Sequence, residues 1–346
     1  HGNLIGTYQL SNKQDTEQAI SVAKKAFKSN YWSDMAGSDR EKIIRKAASI
    51  IRERAHELAL IETLESGKPI SQSLDEMEWA AGIWDYAATL ARHIAGDVNT
   101  NLGKDMTVML QKVPIGVVAM ITPWNFPLLI ISQKLPIALA AGCTAVIKPS
   151  EMTPGTTLLL GGILKEAGLP DGALNVVPGS GIEAGAALAG NPNVQHISFT
   201  GSVHTGALVQ RAAGVNVVPV TLELGGKSPQ LVFNDANLTA ALPFLVNAGI
   251  QNAGQTCSAS SRILIQRGIY NSVRDRMAEA YCNLTVGPAM ADMHIGPLIS
   301  ERQKALVLEF LAKGSDLTIA AQGKLHDAPN NGAYVLPTLF ENVTAD

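Results

Sequence analysis

The sequence predicts an α/β protein in which helices cross over between parallel strands, organised as two or three domains. Three observations predict it. From about residue 115 onward, short runs rich in Val and Ile alternate with amphipathic stretches of about 10 to 15 residues, the spacing of βαβ units. Glycine-rich turns follow several of those runs, as at "VVPGSG", "FTGS" and "ELGG". The chain has 346 residues, 46% hydrophobic and only 16% charged, enough to bury a large core in domains of roughly 150 residues each.

The elements follow in order. Residues 15–66 read as helices. Asp15 is a plausible N-cap for "DTEQAISVAKKAF", and Ser38 or Asp39 for the next stretch. There Ile43, Ile44, Ala47, Ile50, Ile51 and Leu58 recur at helical spacing until Gly67 and Pro69 end the run. A third helix is expected from about Ser73 to Arg92. "MTVMLQKVPIGVVAMITP" reads as strands. Next come "TAVIKPS" as a strand, "TTLLLGGILKEAG" as a helix and "ALNVVPG" as a strand. A helix near 182–190, the strand "QHISFTG", a helix from about His204 and the strand "VNVVPVTLELGG" complete the series. A second alternating region opens near Ser228.

Composition removes several function classes. The net charge is −3 with basic residues scattered, so neither a nucleic-acid surface nor a polybasic membrane anchor is expected. No run of about 18 apolar residues is present, and no signal peptide is visible at "HGNLIGTYQL". Cys143, Cys257 and Cys282 form no CxxC pair, which fits a reducing cytosol, and the seven histidines show no HExxH spacing, so no metal site is expected.

Candidate chemistry sits at strand ends. Gly179, Gly181 and Gly185 approach a dinucleotide fingerprint but miss its spacing by one; Gly201 and Gly206 lie between a strand and a helix. Either turn could seat a phosphate at a helix start, or be a plain βα turn. "LGGKS" is not a P-loop, because Thr221 holds the position of the required glycine. Cys257, in "NAGQTCSASSRILI", occupies a helix-to-strand loop and is read either as an accessible nucleophile or as a buried thiol. Glu223, ending an apolar strand, suits a general base with a raised pKa or an ion pair. Asn125, in "TPWNFP", is an oxyanion donor or an Asx-turn. Lys148 and Glu151 could bind ribose hydroxyls, or Ser150 and Glu151 could simply cap a helix.

Taken together, "PWNFP", "KPSE", "FTGS", "ELGGKSP" and "GQTCSASSR" resemble the aldehyde dehydrogenase family in order and spacing, along essentially the whole chain. The wording is most similar to the betaine-aldehyde branch. The resemblance implies a Rossmann-like NAD-binding domain (1–95 and 115–225), a small β oligomerisation extension (96–114) and a second α/β catalytic domain (226–346). It implies oxidation of a small-molecule aldehyde to the acid in a cytoplasmic homodimer or homotetramer, with NAD as cofactor and NADP as the alternative. Cys257 would be the nucleophile, Glu223 the base and Asn125 an oxyanion donor. Trp124, Lys148, Ser150, Glu151, Gly201 and Ser202 would contact the cofactor, and the carboxylate of Glu151 would favour NAD. Family members continue past "PTLF" into a Glu-x-Phe-Gly-Pro segment, so the catalytic domain is expected to be incomplete here. That leaves two alternatives open: a catalytically impaired protein of the same fold with a binding or structural role, and a cysteine-dependent esterase.

Overall fold

The computed structural model describes residues 4–344; His1 and Asp346, which bound the expected domains, lie outside them. In chain order it contains helices α1 (Lys13–Lys28), α2 (Gly37–Glu53), α3 (Ala55–Ser66) and α4 (Ile70–Leu90), then strands β1 (Asp97–Asn99), β2 (Val108–Leu110) and β3 (Val117–Ile121). Then follow α5 (Pro127–Ser132), α6 (Leu135–Ala140), β4 (Thr144–Lys148), α7 (Gly155–Ala167), β5 (Leu174–Val176), α8 (Ala186–Ala189), β6 (His196–Gly201), α9 (Val203–Gly214) and β7 (Val220–Leu224). The remainder is β8 (Pro229–Val232), α10 (Leu238–Ile250), β9 (Arg262–Ile265), α11 (Tyr270–Cys282), β10 (Thr285–Val286), α12 (Glu301–Lys313), β11 (Thr318–Gln322), β12 (Lys324–Leu325) and β13 (Thr338–Glu341).

Two compact units divide the chain. One comprises residues 7–58 and 75–224; the other comprises 59–74 and 225–344, with 4–6. The first is built on a parallel sheet of order β5-β4-β3-β6-β7. Its inner strands β3 and β4 are buried at every position, which explains the apolar runs Val117–Ile121 and Ala145–Ile147. Ile20 and Ala23 of α1, and Val209 and Ala213 of α9, pack with Val117, Ala119 and Ile197 in its core. The chain runs outward from β3 to β5, then returns to add β6 and β7 beyond β3. The order therefore reverses between β3 and β6, where ligands of such sheets collect. β1 and β2 form an antiparallel hairpin that leaves Val98 and Met109 well exposed.

The second unit pairs β8 with β9 in parallel over a core that includes Val232, Leu245, Val273, Met277 and Val286. At the turn between α3 and α4, Lys68 donates to Glu62 Oε1 at 2.7 Å, with both side chains 0% exposed.

Local details correct the sequence reading. Asp15 is not the N-cap of α1. Asn12 caps it, accepting from Asp15 N–H, and Asp15 returns the bond to the Asn12 N–H as the third residue of a capping box. Neither Ser38 nor Asp39 caps α2; helix begins at Gly37, whose Cα lies against the Ala91 carbonyl, where a side chain would clash. The long run to Gly67 is two helices, broken at Arg54.

Candidate active site

In the sheet unit, eight of the residues singled out above emerge at the carboxyl ends of four adjacent strands. Lys148 ends β4, with Ser150 and Glu151 just after it. Trp124 and Asn125 follow β3, Gly201 and Ser202 close β6, and Glu223 is the penultimate residue of β7. Parallel hydrogen bonding forces this gathering, because every strand of the sheet ends on the same side. Thr153 Oγ1 donates to the Trp124 carbonyl at 3.2 Å, tying the loops after β3 and β4 together.

Lys148 is 4% exposed, an unusual place for an ammonium. Its Nζ donates to Pro149 O at 2.7 Å and Gly179 O at 2.9 Å, and reaches Glu151 Oε2 at 3.4 Å. Burial pushes its pKa down, and the Glu151 carboxylate opposes that. Gly179 is obligatory, since a Cβ there would meet Ser11 O at 2.4 Å and Ala184 Cβ at 2.6 Å. The near-fingerprint turn thus holds Lys148 through a carbonyl, and a one-turn π-helix at Gly181–Gly185, N-capped by Ser180, continues into α8. Ser150 is buried and its Oγ accepts from Met152 N–H, a local turn bond, while Glu151 is exposed.

Ser202 is the N-cap of α9, its Oγ accepting from Thr205 N–H at 3.2 Å. The side chains of Ser202, Val203 and His204 are exposed at this helix start, where backbone N–H groups lack intrahelical partners and favour an anion. A Cβ on Gly206 would lie 2.8 Å from Leu224 Cδ2, so this glycine lets α9 sit close on β7.

Glu223 departs from expectation. β7 alternates, with Val220, Leu222 and Leu224 half-buried and Thr221 and Glu223 exposed, so the carboxylate stands in an open rather than an apolar setting. Sequence reasoning also missed Lys134. This residue, just before α6, donates to Ser198 Oγ on β6 at 2.9 Å. Burial lowers its pKa, and the attraction of Glu223 opposes that. Beside it, His196 Nε2 lies 3.1 Å from Thr221 Oγ1, and burial with the Lys134 charge lowers the histidine pKa. A lone Lys between two short apolar helices carries no signal that separates it from a solvated residue.

In the other unit, Cys257 is exposed, in a loop fastened at both sides. Upstream, Gln255 N–H donates to Asn252 O and Thr256 Oγ1 to Gln251 O. Downstream, Ala259 N–H donates to Thr256 O and Ser260 N–H to Ala248 O. A Cβ built on Gly226 would stand 3.6 Å from the Cys257 carbonyl. Cys143 is buried, which raises its thiol pKa, and Cys282 is exposed on the last turn of α11. Among the described residues, no group of three or more His, Cys, Asp or Glu is placed to hold a metal ion, and no helix is long and apolar enough to cross a membrane.

This chain is similar to characterised proteins along its whole length. The profile described as "Aldehyde dehydrogenase family" matches residues 1–346. A betaine aldehyde dehydrogenase of Oryza sativa subsp. japonica is 39% identical over 98% of this chain and 69% of its own length. The betaine aldehyde dehydrogenase of Bacillus subtilis is 39% identical over 99% of this chain and 71% of its own. Among solved structures, an NAD-dependent aldehyde dehydrogenase from Sinorhizobium meliloti superposes with a TM-score of 0.94 at 39% identity, covering 99% of this chain and 69% of that one. The betaine aldehyde dehydrogenase of Staphylococcus aureus in complex with NAD+ gives 0.94 at 36% identity, with 99% and 69% coverage.

Proposed function

The chain belongs to the aldehyde dehydrogenase family, and from that premise we propose that it oxidises an aldehyde to a carboxylic acid with NAD, using Cys257 as nucleophile. The observation that carries this reading is the exposed Cys257 thiol, held in a loop fastened at both sides. The thiolate attacks the aldehyde carbon; a C–S bond forms and the carbonyl π pair moves to oxygen. The Asn125 amide and the Cys257 N–H donate to that oxyanion. When bound, the nicotinamide supplies the hydride acceptor that leaves the carbon as a thioester. Glu223 takes a proton from water, the hydroxide adds to the acyl carbon, and cleavage of the C–S bond returns the thiolate.

NAD suits the strand-end residues, and relatives are known as NAD complexes. Lys148 and Glu151 hold the adenosine ribose, with Ser150 shaping their turn. Gly201, Ser202 and the start of α9 face the pyrophosphate, and Trp124 forms part of the wall. A carboxylate at position 151 favours a 2′-hydroxyl over a 2′-phosphate, hence NAD over NADP. The two units correspond in this reading to a cofactor-binding and a catalytic domain, and the β1–β2 hairpin, with Met109 75% exposed, to an extension that joins subunits of a cytoplasmic homodimer or homotetramer.

The test is NADH formation by the purified chain with NAD and a panel of short aldehydes, betaine aldehyde included, beside Cys257→Ala. Turnover that disappears in the variant supports the thiolate route. A folded wild-type chain that forms no NADH with any of them refutes it.

A further inference from the structure

The segment between α10 and Cys257 holds three consecutive residues in the left-handed region: Asn252 (φ 50°), Ala253 (φ 56°) and Gly254 (φ 75°). Two of them carry a Cβ, which this region disfavours, so something must hold the turn there. Two glutamines do. Asn252 N–H donates to Gln72 Oε1 at 3.0 Å, and Gln72 Nε2 in turn donates to His294 O at 3.2 Å. On the other side, the backbone N–H and the side-chain Nε2 of Gln255 both donate to Asn252 O, each at 3.0 Å. Gln255 Oε1 accepts from Ile299 N–H at 3.0 Å. Asn252 is 2% exposed, so the bonds at its N–H and carbonyl are partly shielded from water, while the Gln72 bond to His294 O is exposed.

Gln255 therefore connects three things: the strained turn, the backbone at Ile299, and the nucleophile two residues further on. We propose that the Gln255 side-chain amide is a positioning residue for Cys257, fixing the direction in which the Cys257 N–H and Sγ leave the loop. This inference rests on the role of Cys257 proposed above. An amide suits the task because it donates to one backbone segment and accepts from another at once. A carboxylate at this position can keep the acceptor but opposes the Asn252 carbonyl, and a thioether keeps neither bond.

The experiment follows the three cysteines of the full chain by iodoacetamide labelling and peptide mass spectrometry across a pH series, in wild type and Gln255→Met. Cys143 is buried and reports loss of structure; exposed Cys282 reports general reactivity. The expected result is a changed rate and pH midpoint at Cys257 alone, with turnover lowered roughly 10- to 100-fold by misdirection of the thiolate. Gln255→Glu keeps the Ile299 bond and replaces the donor to Asn252 O by an opposing carboxylate oxygen; it serves where Gln255→Met does not fold. An unchanged rate and midpoint at Cys257 in a folded variant overturns the proposal. So does acceleration at all three cysteines together, which reports a folding role alone. Labelling needs no turnover, so these outcomes are separate from the Cys257→Ala assay, whose failure would remove the nucleophile itself.

Discussion

Replacing Lys148 by Met removes an ammonium while leaving a side chain of similar length. In the wild-type protein Nζ is held at 2.7 and 2.9 Å by the Pro149 and Gly179 carbonyls, with Glu151 at 3.4 Å. Two costs follow. The carbonyls lose a charged donor, at about 1–3 kcal/mol for each left unpaired, partly offset because the buried ammonium no longer has to be desolvated. A bound ribose loses a charge-assisted hydrogen bond of about 1.5–3 kcal/mol, which is roughly 10- to 150-fold in NAD affinity. The assay is calorimetric titration with NAD, with KM for NAD and for aldehyde measured in parallel; only the former should rise. The same geometry sets a pH dependence. Burial holds the Lys148 pKa below its ordinary value of 10.5, so NAD affinity should decline as pH rises through that lowered value and the ammonium becomes an amine. For stability the sign is opposite. The unfolded chain binds this proton more tightly, so the cost of burying the charge is fully present below the folded pKa and fades as pH rises toward the unfolded one. A folded Lys148→Met protein whose NAD affinity stays within about twofold of wild type would refute the role given to this residue.

Two further outcomes concern the fold. Lys68→Met should destabilise the protein by about 3–5 kcal/mol in denaturant unfolding, because it removes one partner of a fully buried ion pair. Glu62→Leu combined with Lys68→Met should recover most of that loss, and a single-variant cost under about 1 kcal/mol would contradict a desolvated pair. Ser202→Ala should cost about 1 kcal/mol through the lost cap on α9, read from the same unfolding curves; an unchanged midpoint would mean that the Thr205 bond contributes nothing.

The inner strands of the parallel sheet were legible because both their faces are buried. β3 and β4 have no polar face to maintain, so Val117–Ile121 and Ala145–Ile147 are uninterrupted apolar runs, whereas β6 buries Ser198 and Thr200 among its four central residues. Their order in chain and space then gathers the strand-end residues. What stayed hidden was decided by contacts between distant segments. The break at Arg54 falls among good helix formers, with no Gly or Pro to announce it. "VNVVPVTLELGG" becomes strand only from Val220, because Val217 turns to φ 55° and Pro219 supplies the carbonyl that Ile197 N–H bonds. Asn12 outcompetes Asp15 as cap because the pair satisfies two backbone donors reciprocally. Lys134 and Gln255 act through partners 64 and 44 positions along the chain, beyond the reach of local pattern.

The alternation along β7 sets a rule for how this protein can vary. β7 lies at one edge of its sheet and takes its register from β6 alone. Val220, Leu222 and Leu224 must turn toward the core for Thr221 and Glu223 to turn away. Shifting that register by one residue exchanges the two sets, burying the carboxylate and exposing three aliphatic side chains. Parity is therefore what the loop before β7 must preserve. Gain or loss of a single residue between Gly214 and Pro219 is tolerable only where the loop absorbs it, since passing it into the strand points position 223 to the opposite face.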